Sequence, residues 1–481
     1  MGYELMFLLK EYPQLKIIQT IAKKGKIKVH LVGGFLRDCL LNRPKYDFDF
    51  AIPAKAVKFA RQVAPKVQGA FILLDDEHGC ARVAKKTNRG LQTFDFADYR
   101  AKTLKGDLEH RDFTINTLCV DLLSLNEKDS LPQSLIDLKG AVKDIKAKKI
   151  KMVSATAFKE DPLRLVRAFS HQANLNFKIE AKTLTRIKGD RRLLKDVSAE
   201  RIRDEFFKIL TIPRAAEILK GMDKIGLLEE IMPQITVMYD CKQGGYHHLD
   251  VWPHSLETVA QLEKIFVESR SDEELTQYFQ ESLAGERRRF ALMKLAALLH
   301  DIGKPDTRKK EEGRISFHGH ERVGMRIVRA ISHMLKLSTR ERHILEDLVL
   351  WHLRPGYLSN FKIPSERSIF RFLRDTKDEA VSVLILSLAD QRATRGPLTT
   401  EADLKHHESI IRTLVQQYFD AKRQTPLVRL INGHDLIKKL KLEPSPAFAK
   451  ILRDVEEKQA MGEITTKEEA LAWAQKCADA Q

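Results

Sequence analysis

Two aspartates sit two residues apart in the apolar run YDFDFAI (46–52), at Asp47 and Asp49. In an extended chain successive side chains alternate between faces, so both carboxylates emerge on one side. Like charges placed so closely are costly unless something positive lies between them. Mg²⁺ shared with substrate phosphates is the natural occupant, because it prefers carboxylate and phosphate oxygens. A solvent-facing amphipathic strand would show the same spacing. Against it stand the alternating Tyr46, Phe48 and Phe50 and the turn just upstream. That turn, HLVGGFLRD (30–38), reads as a strand, a Gly-Gly turn and a helix start. Glycines let backbone approach a phosphate, and a helix N-terminus offers free N–H groups. Gly34 is therefore a candidate triphosphate contact, and Arg37 can add a charge-assisted one. Further on, EHRDFTIN (109–116) sets Arg111 beside Asp112, which alone would read as an ion pair and helix cap.

A second set of reactive types lies in the other half of the chain. His254 falls in WPHSLET, His300 and Asp301 in LAALLHDIGKP, His320 in HGHE, His352 in LWHLRP and Asp390 in LSLADQRA. Each alone could be a packed or capping polar residue. An adjacent His-Asp pair after an apolar helix, followed by Gly-Lys-Pro, is much less common.

The elements around these residues change character along the chain. Residues 1–28 read as a short helix with a basic exit, KKGKIK. From 29 to about 152 short apolar runs alternate with Gly and Asp turns; VHLV, YDFDFAI, GAFILL, LQTFDFA and LCVDLL are expected strands. From about 153 onward the spacing turns helical, as in LRLVRAFSHQA, AERIRDEFFKIL and RAAEILKGMDKIGLLEEI. GPL (396–398) and TPL (425–427) mark expected breaks between helices.

The 481 residues suggest about three domains. With 43% hydrophobic and 31% charged residues the chain reads as globular. No apolar run approaches the roughly 18 residues of a membrane helix, and LMFLL is too short for a signal core. Membrane partners and export are thus not expected, and a cytoplasmic location is. The five cysteines (Cys39, Cys80, Cys119, Cys241, Cys477) form no CxxC pair, which argues for reduced thiols. Lysine and arginine number 83 against 66 acidic residues, a net charge of +17 that suits a polyanionic partner.

In order, GG-x-x-RD (Gly33–Asp38), D-x-D (Asp47–Asp49) and HRDFTIN resemble the class II tRNA nucleotidyltransferases and bacterial poly(A) polymerases of the polymerase-β superfamily. His110 stands where the family usually has arginine. KEDPLRLVRAF (159–169) looks like the family's nucleotide-reading helix, and DVSAERIRDEFFKIL (196–210) like its next motif. At a spacing of three, Asp161 and Arg164 are expected on one helix face, with Arg167 continuing it. The resemblance implies that Asp161 and Arg164 read the incoming base. An Asp accepts from the exocyclic amine of C or A, and an Arg donates to ring acceptors of either. Ser170 sits where many relatives carry a further arginine. Asp95 is a candidate third carboxylate.

The histidine set resembles the HD superfamily of metal-dependent phosphohydrolases. His254, His300, Asp301 and Asp390 would bind a first metal, and His320 and His352 a second metal or a phosphate. Imidazole with carboxylate suits Ni, Mn, Co, Fe or Mg. In this setting HD domains are associated with hydrolysis at 2′,3′ ends. LINGHDLIKKLKLEPSPAF (430–448) partly matches family sequence; Lys441 and Ser445 replace glycines, and Lys438, Lys439 and Lys441 are candidate backbone-phosphate contacts.

The resemblance thus implies an α+β chain: an N-terminal helix (1–28), a polymerase-β-like head with a mixed sheet (29–152), a helical neck (153–235), an HD domain (236–400) and C-terminal helices (401–481). It implies untemplated addition of C, A or both to the tRNA 3′ end from CTP and ATP, with Mg²⁺ at the transferase site. Poly(A) polymerases usually carry a GRRF-like stretch where this chain reads HGCARVAKK (78–86). The short ADYRAKTLKGDLE (97–109) is compatible with a CC-adding enzyme. An A-adding enzyme, or an HD phosphohydrolase with a nucleotide-binding head, completes the alternatives.

Overall fold

A computed structural model describes residues 7–43, 46–88, 90–244, 247–311, 314–424 and 428–479. The expected TPL break (425–427) and the first six residues of the N-terminal helix therefore lie outside the described residues. The chain divides into two units, residues 1–209 with 225–230, and residues 210–224 with 231–481. The fold is a mixed-sheet head followed by helices.

The first unit is built on a six-stranded sheet of order β3-β4-β5-β2-β1-β6. Its strands are β1 (His30–Val32), β2 (Asp47–Ile52), β3 (Ala70–Asp75), β4 (Cys80–Thr87), β5 (Gly90–Asp98) and β6 (Cys119–Asp121). Only β2 and β5 run parallel; the other pairs are antiparallel. In that parallel pair Phe48 faces Phe94 and Phe50 faces Phe96 in register. Their rings stack at 5.2 and 4.8 Å, and Phe59 of the helix Ala56–Val67 meets Phe96 edge-on at 5.5 Å. Because side chains alternate, this aromatic layer commits the odd-numbered residues of β2 to the opposite face. Strand β4 was not expected from the sequence. Its CARVAKKT hides a weak alternation, in which only Ala81 and Val83 are deeply buried between basic and small residues.

Two helices, Leu8–Glu11 and Pro13–Gly25, replace the single expected N-terminal helix, with the break at Tyr12 before Pro13. The helical half is not free of strands. Lys149–Ile150 pairs with Lys178–Ile179, and two small hairpins lie near residues 282–288 and 309–316.

The second unit centres on two helices buried almost all round, Arg289–Leu299 and Ala380–Ala393. Such helices belong to a core rather than a surface. Around them pack Val251–Glu268, Thr339–Trp351 and Glu401–Arg423, while His320–Met334 lies along Thr339–Trp351. The expected GPL break falls in the non-helical 394–400. Helices Gly433–Leu440, Ala447–Ala460 and Lys467–Asp479 gather around a small core that includes Leu436, Ile451 and Val455. Lys441, which replaces a family glycine, ends Gly433–Leu440 at φ 55°, the left-handed conformation that favours glycine. All five cysteines are free, and no helix among the described residues is long and apolar enough to cross a membrane.

Removing the ring of Phe96 opens a cavity in the aromatic layer, at a cost of about 3–5 kcal/mol. Phe96→Ala should therefore lower the urea midpoint of unfolding strongly, read by circular dichroism. An unchanged midpoint would mean that this layer is not the core of the head.

Candidate functional sites

In the head, the aromatic layer on one sheet face presents Asp47 and Asp49 on the other. Register places Asp49 beside Val32 of β1 and beside Asp95 of β5. Asp47 Oδ1 accepts from Thr93 Oγ1 at 2.7 Å. Asp95 is held by Arg82 of β4 through two bonds of 2.7 Å, Nε to Oδ1 and Nη2 to Oδ2. Burial pushes the Asp49 carboxyl up to about 6; Asp95 and Asp47 add to the rise, and Arg111 and Arg167 oppose it. A carboxylate so placed calls for a cation.

The Gly-Gly turn meets these carboxylates at Gly33, whose φ of 88° favours glycine. A Cβ there would lie 3.1 Å from Asp49 Oδ2 and 3.2 Å from Arg111 Nη1. Glycine thus leaves open the space between carboxylate and guanidinium. Arg111 Nη2 lies 3.6 Å from Asp107, and its buried Nε has no hydrogen-bond partner among the described residues.

A chain of buried polar groups ties the motifs together. Arg37 donates from Nε to Asp38 (2.8 Å) and from Nη1 to Asn116 (2.6 Å). Asn116 Nδ2 donates to Asp112 (2.9 Å), whose other oxygen lies 3.0 Å from Arg167 and 3.7 Å from His171. Burial opposes charge on Asp112, yet Arg167, His171 and Asn116 together hold its carboxyl well below the usual range. Asp38, Asn116 and His171 were not singled out in the sequence. The first two lie inside quoted motifs, and His171 is one turn beyond Arg167.

The expected helix face shared by Asp161 and Arg164 is not formed. The helix begins only at Arg164; Asp161 precedes it in extended backbone (φ −148°, ψ 98°), because the following Pro162 disfavours helical geometry there. Asp161 is held by Arg201 Nη2 at 3.2 and 3.1 Å. Arg164 is buried and donates to the carbonyls of His110 (2.5 Å), Ala157 (3.0 Å) and Arg111 (3.2 Å). His110 Nδ1 is 3.0 Å from Glu160, so this departure from the family pattern has its own partner. Ser170 donates to Glu205. A single cleft of 440 Å³ is nevertheless lined by Gly34, Arg37, Asp47, Asp49, Asp95, Arg111, Asp161, Arg164 and Arg167.

In the helical unit six ligand-type side chains converge. The ligand atoms of His254, His300 and Asp390 lie within 4.8 Å of one another, as do those of Asp301, His320 and His352. Asp301 lies between the groups. Its Oδ2 is 3.3 Å from His300 and 3.7 Å from His254, and its Oδ1 is 3.3 Å from His320 and 3.8 Å from His352. The Nδ1 atoms of His300, His320 and His352 lie 2.9, 2.8 and 2.7 Å from the carbonyls of Ala297, Phe317 and Val349. Each ring thereby keeps Nε2 for the cluster, as second-shell bonds do for metal-binding histidines. Burial alone would keep His300 neutral, but Asp301 and Asp390 raise it to about 10. Burial, with His300 and His320, drives His352 down to about 3. The donor set, imidazole nitrogen with carboxylate oxygen, fits divalent metal.

Two further residues complete this cluster. A Cβ on Gly303 would collide with the His320 carbonyl and the Gly324 amide, so glycine lets the helix His320–Met334 close on the His-Asp turn. Lys304 Nζ donates to Asp301 Oδ2 and to Gln243, both at 2.6 Å. The sequence signal for both was the GKP after His-Asp.

The poly(A) polymerase head domain model matches residues 29–151, and an RNA- and SrmB-binding region of polymerase A matches 176–238. The HD domain matches 251–395, and tRNA nucleotidyltransferase domain 2 matches 412–474. The chain is 32% identical to an A-adding tRNA nucleotidyltransferase of Deinococcus radiodurans, covering 93% of this chain and 95% of that one. It is 29% identical to a CC-adding tRNA nucleotidyltransferase of Thermus thermophilus, covering 92% of each. Among solved structures, a Thermotoga maritima CCA-adding enzyme complexed with tRNA has the same fold at a TM-score of 0.61 and 20% identity, covering 97% and 95%.

Arg164→Ala would orphan carbonyls inside the head, each at a cost on the order of 1–3 kcal/mol. The variant should unfold at lower urea even with no nucleotide present. An unchanged midpoint would show that the guanidinium contributes nothing to the fold.

Proposed function

Because the chain belongs to the tRNA nucleotidyltransferase family, we propose that its head cleft adds C, A or both to the tRNA 3′ end from CTP and ATP, acting in the cytoplasm. The observation that carries this reading is the head cleft, where paired carboxylates, a glycine turn and five arginines face one space. Asp47 and Asp49 are the residues that would hold Mg²⁺, with Asp95 beside them. Bound there, the ion supplies charge neutralisation for the triphosphate and activation of the attacking hydroxyl. The chain's own groups do the rest. Gly33 and Gly34 let the triphosphate approach the start of the helix Gly34–Leu40, and Arg37 and Arg111 pair with its oxygens.

Base selection falls to Asp161, Arg164 and Arg167. Arg201 takes one side of the Asp161 carboxylate, which retains lone pairs for an exocyclic amine of C or A. Arg164 is immobilised by carbonyls, and Arg167 by Asp112, so neither needs reordering when a base arrives. Guanine and uracil offer the opposite donor pattern to such a pair. Relatives matched over nearly their whole length are A-adding and CC-adding proteins, which supports a partial product. Lys438, Lys439 and Lys441, all exposed, are suited to tRNA backbone phosphates.

The HD cluster is a second active site. His254, His300 and Asp390 would hold one divalent metal, His320 and His352 another, and Asp301 would serve both. Imidazole donors favour Ni, Mn, Co or Fe over Mg. Metal there supplies an activated water for hydrolysis of a phosphoester such as a 2′,3′-cyclic phosphate or a 2′-phosphate.

Three measurements test these assignments. Asp47→Ala should cut nucleotide addition by more than about 100-fold, beyond the 10–100-fold that losing a mere outer-shell partner brings. Substantial residual addition would sink the two-carboxylate assignment. Purified protein given tRNA ending in the discriminator base, in -C or in -CC, with CTP and ATP separately, should extend only some of these ends; extension of all three with the matching nucleotide would make it a full CCA enzyme. The double variant His300→Ala, Asp301→Ala should lose tightly held transition metal by elemental mass spectrometry while keeping nucleotide addition. A wild type that holds no metal would reduce the HD region to a scaffold.

A further inference from the structure

The head sheet ends differently at its two sides. Beyond β6, Ile136 donates to the Cys119 carbonyl at 2.8 Å and accepts from the Cys119 amide at 3.2 Å, which closes that edge. Beyond β3 no strand is paired among the described residues. An edge strand leaves the amides and carbonyls of alternate residues pointing outward, and soluble proteins usually guard such rows with lysine, proline or a covering segment. In β3 the run AFILL (70–74) carries neither a charge nor a proline. Ile72, Leu73 and Leu74 are 42, 44 and 51% exposed. A shift of register between Leu73 and Asp75 disturbs the strand only at its far end.

The two ends of this strand carry opposite charge. Asp75, Asp76 and Glu77 close it, all exposed. Just before it Lys66 stands at the end of the helix Ala56–Val67, and Arg61 of that helix lies over the Phe71 ring at 4.4 Å. Lys66, Asp76 and Glu77 have no ion pair among the described residues. Such an ordering is complementary to itself when turned end for end. A two-fold axis normal to the sheet and passing through Ile72 would set two copies of β3 antiparallel. Ile72 then meets its counterpart, Phe71 meets Leu73, and the acidic turn of each copy meets Lys66 of the other. Pairing stops at two copies, because Ile136 closes the opposite edge of the sheet.

We propose that β3 is a docking edge for a second copy of this chain, joining two heads through one continuous sheet. Apolar side chains fill the centre of this interface and charge pairs its rim, the ordinary anatomy of a stable contact. The interface also adjoins the nucleotide site. Across the strands Ile72 pairs with Arg82, Arg82 with Asp95 and Asp95 with Asp49. The docking edge therefore lies next to the strand whose guanidinium holds Asp95. An axis normal to the sheet preserves its faces, so the carboxylates of both copies open on the same side.

Sedimentation velocity of the full-length protein, free of tRNA and nucleotide, tests this. Across about a hundredfold range of concentration the wild type should show a monomer–dimer equilibrium. Ile72→Lys sets two ammonium groups against each other at the axis and should raise the dimer Kd more than about tenfold. Its circular dichroism should be unchanged, because the side chain is already partly in water. Lys66→Glu and Asp76→Lys should each raise Kd about fivefold, and their combination should restore it. Amide hydrogen exchange in residues 70–74 should slow as the dimer forms. A wild type that is monomeric at every concentration overturns the proposal; slow exchange of 70–74 in that monomer would assign the edge to another segment of the chain. A dimer that persists in Ile72→Lys overturns it as well, by placing the interface elsewhere. Loss of the dimer in Ile72→Lys without rescue by the double charge swap would overturn the antiparallel arrangement.

Discussion

A carboxylate taken out of water must find positive charge, and both clusters of this chain are organised around that requirement. In the head, Asp49 lies half-buried beside two other aspartates. Asp95 is answered by Arg82, and although Arg111 and Arg167 oppose the rise at Asp49, burial still pushes it up to about 6. In the helical unit the buried Asp301 and the partly buried Asp390 lie among four imidazoles and Lys304. The two clusters meet the same demand with different donors, oxygen alone in one and nitrogen with oxygen in the other. Oxygen donors alone suit a hard ion such as Mg²⁺, whereas imidazole with carboxylate suits later transition ions.

Concentrating so much like charge depends on ordinary packing elsewhere. Alternation along β2 makes the apolar layer of Phe48, Phe50, Phe94 and Phe96 and the acidic face inseparable: the stacking that buries the rings also aims Asp47 and Asp49. Two glycines admit the remaining groups. Gly33 keeps a Cβ from the gap between Asp49 and Arg111, and Gly303 lets the backbone of His320 and Gly324 close on the His-Asp turn. In both places the close approach requires that no Cβ be present, which restricts substitution to glycine.

The arginines show how position is held. Arg37, Arg164 and Arg167 are each anchored by a carboxylate, an amide or backbone carbonyls. A guanidinium fixed beforehand loses little entropy when a ligand binds. The links Arg37–Asn116–Asp112–Arg167 make the helix after the Gly-Gly turn, the RDxTxN segment and the helix Arg164–Leu175 one network. Such networks act as units, so each motif's spacing is explained by the others.

Much of this was legible in the residues themselves. Period-two aspartates, a Gly-Gly turn before a helix and a His-Asp pair after an apolar helix are local patterns, written by side-chain alternation and backbone freedom, and they mark both clusters in the linear chain. Strand β4 was hidden because cations obscure its alternation, and its Arg82 could be matched to Asp95 only across strands. The Asp161–Arg164 spacing suggested a shared helix face, but Pro162 delays the helix, and Arg201, forty residues on, claims Asp161. Asp301's place between two sets of imidazoles arises from four separate helices and turns. Residue type and short spacing follow from the sequence because they obey local geometry. Which charges become partners was decided by the tertiary fold, because burial and long-range register alone bring them within reach.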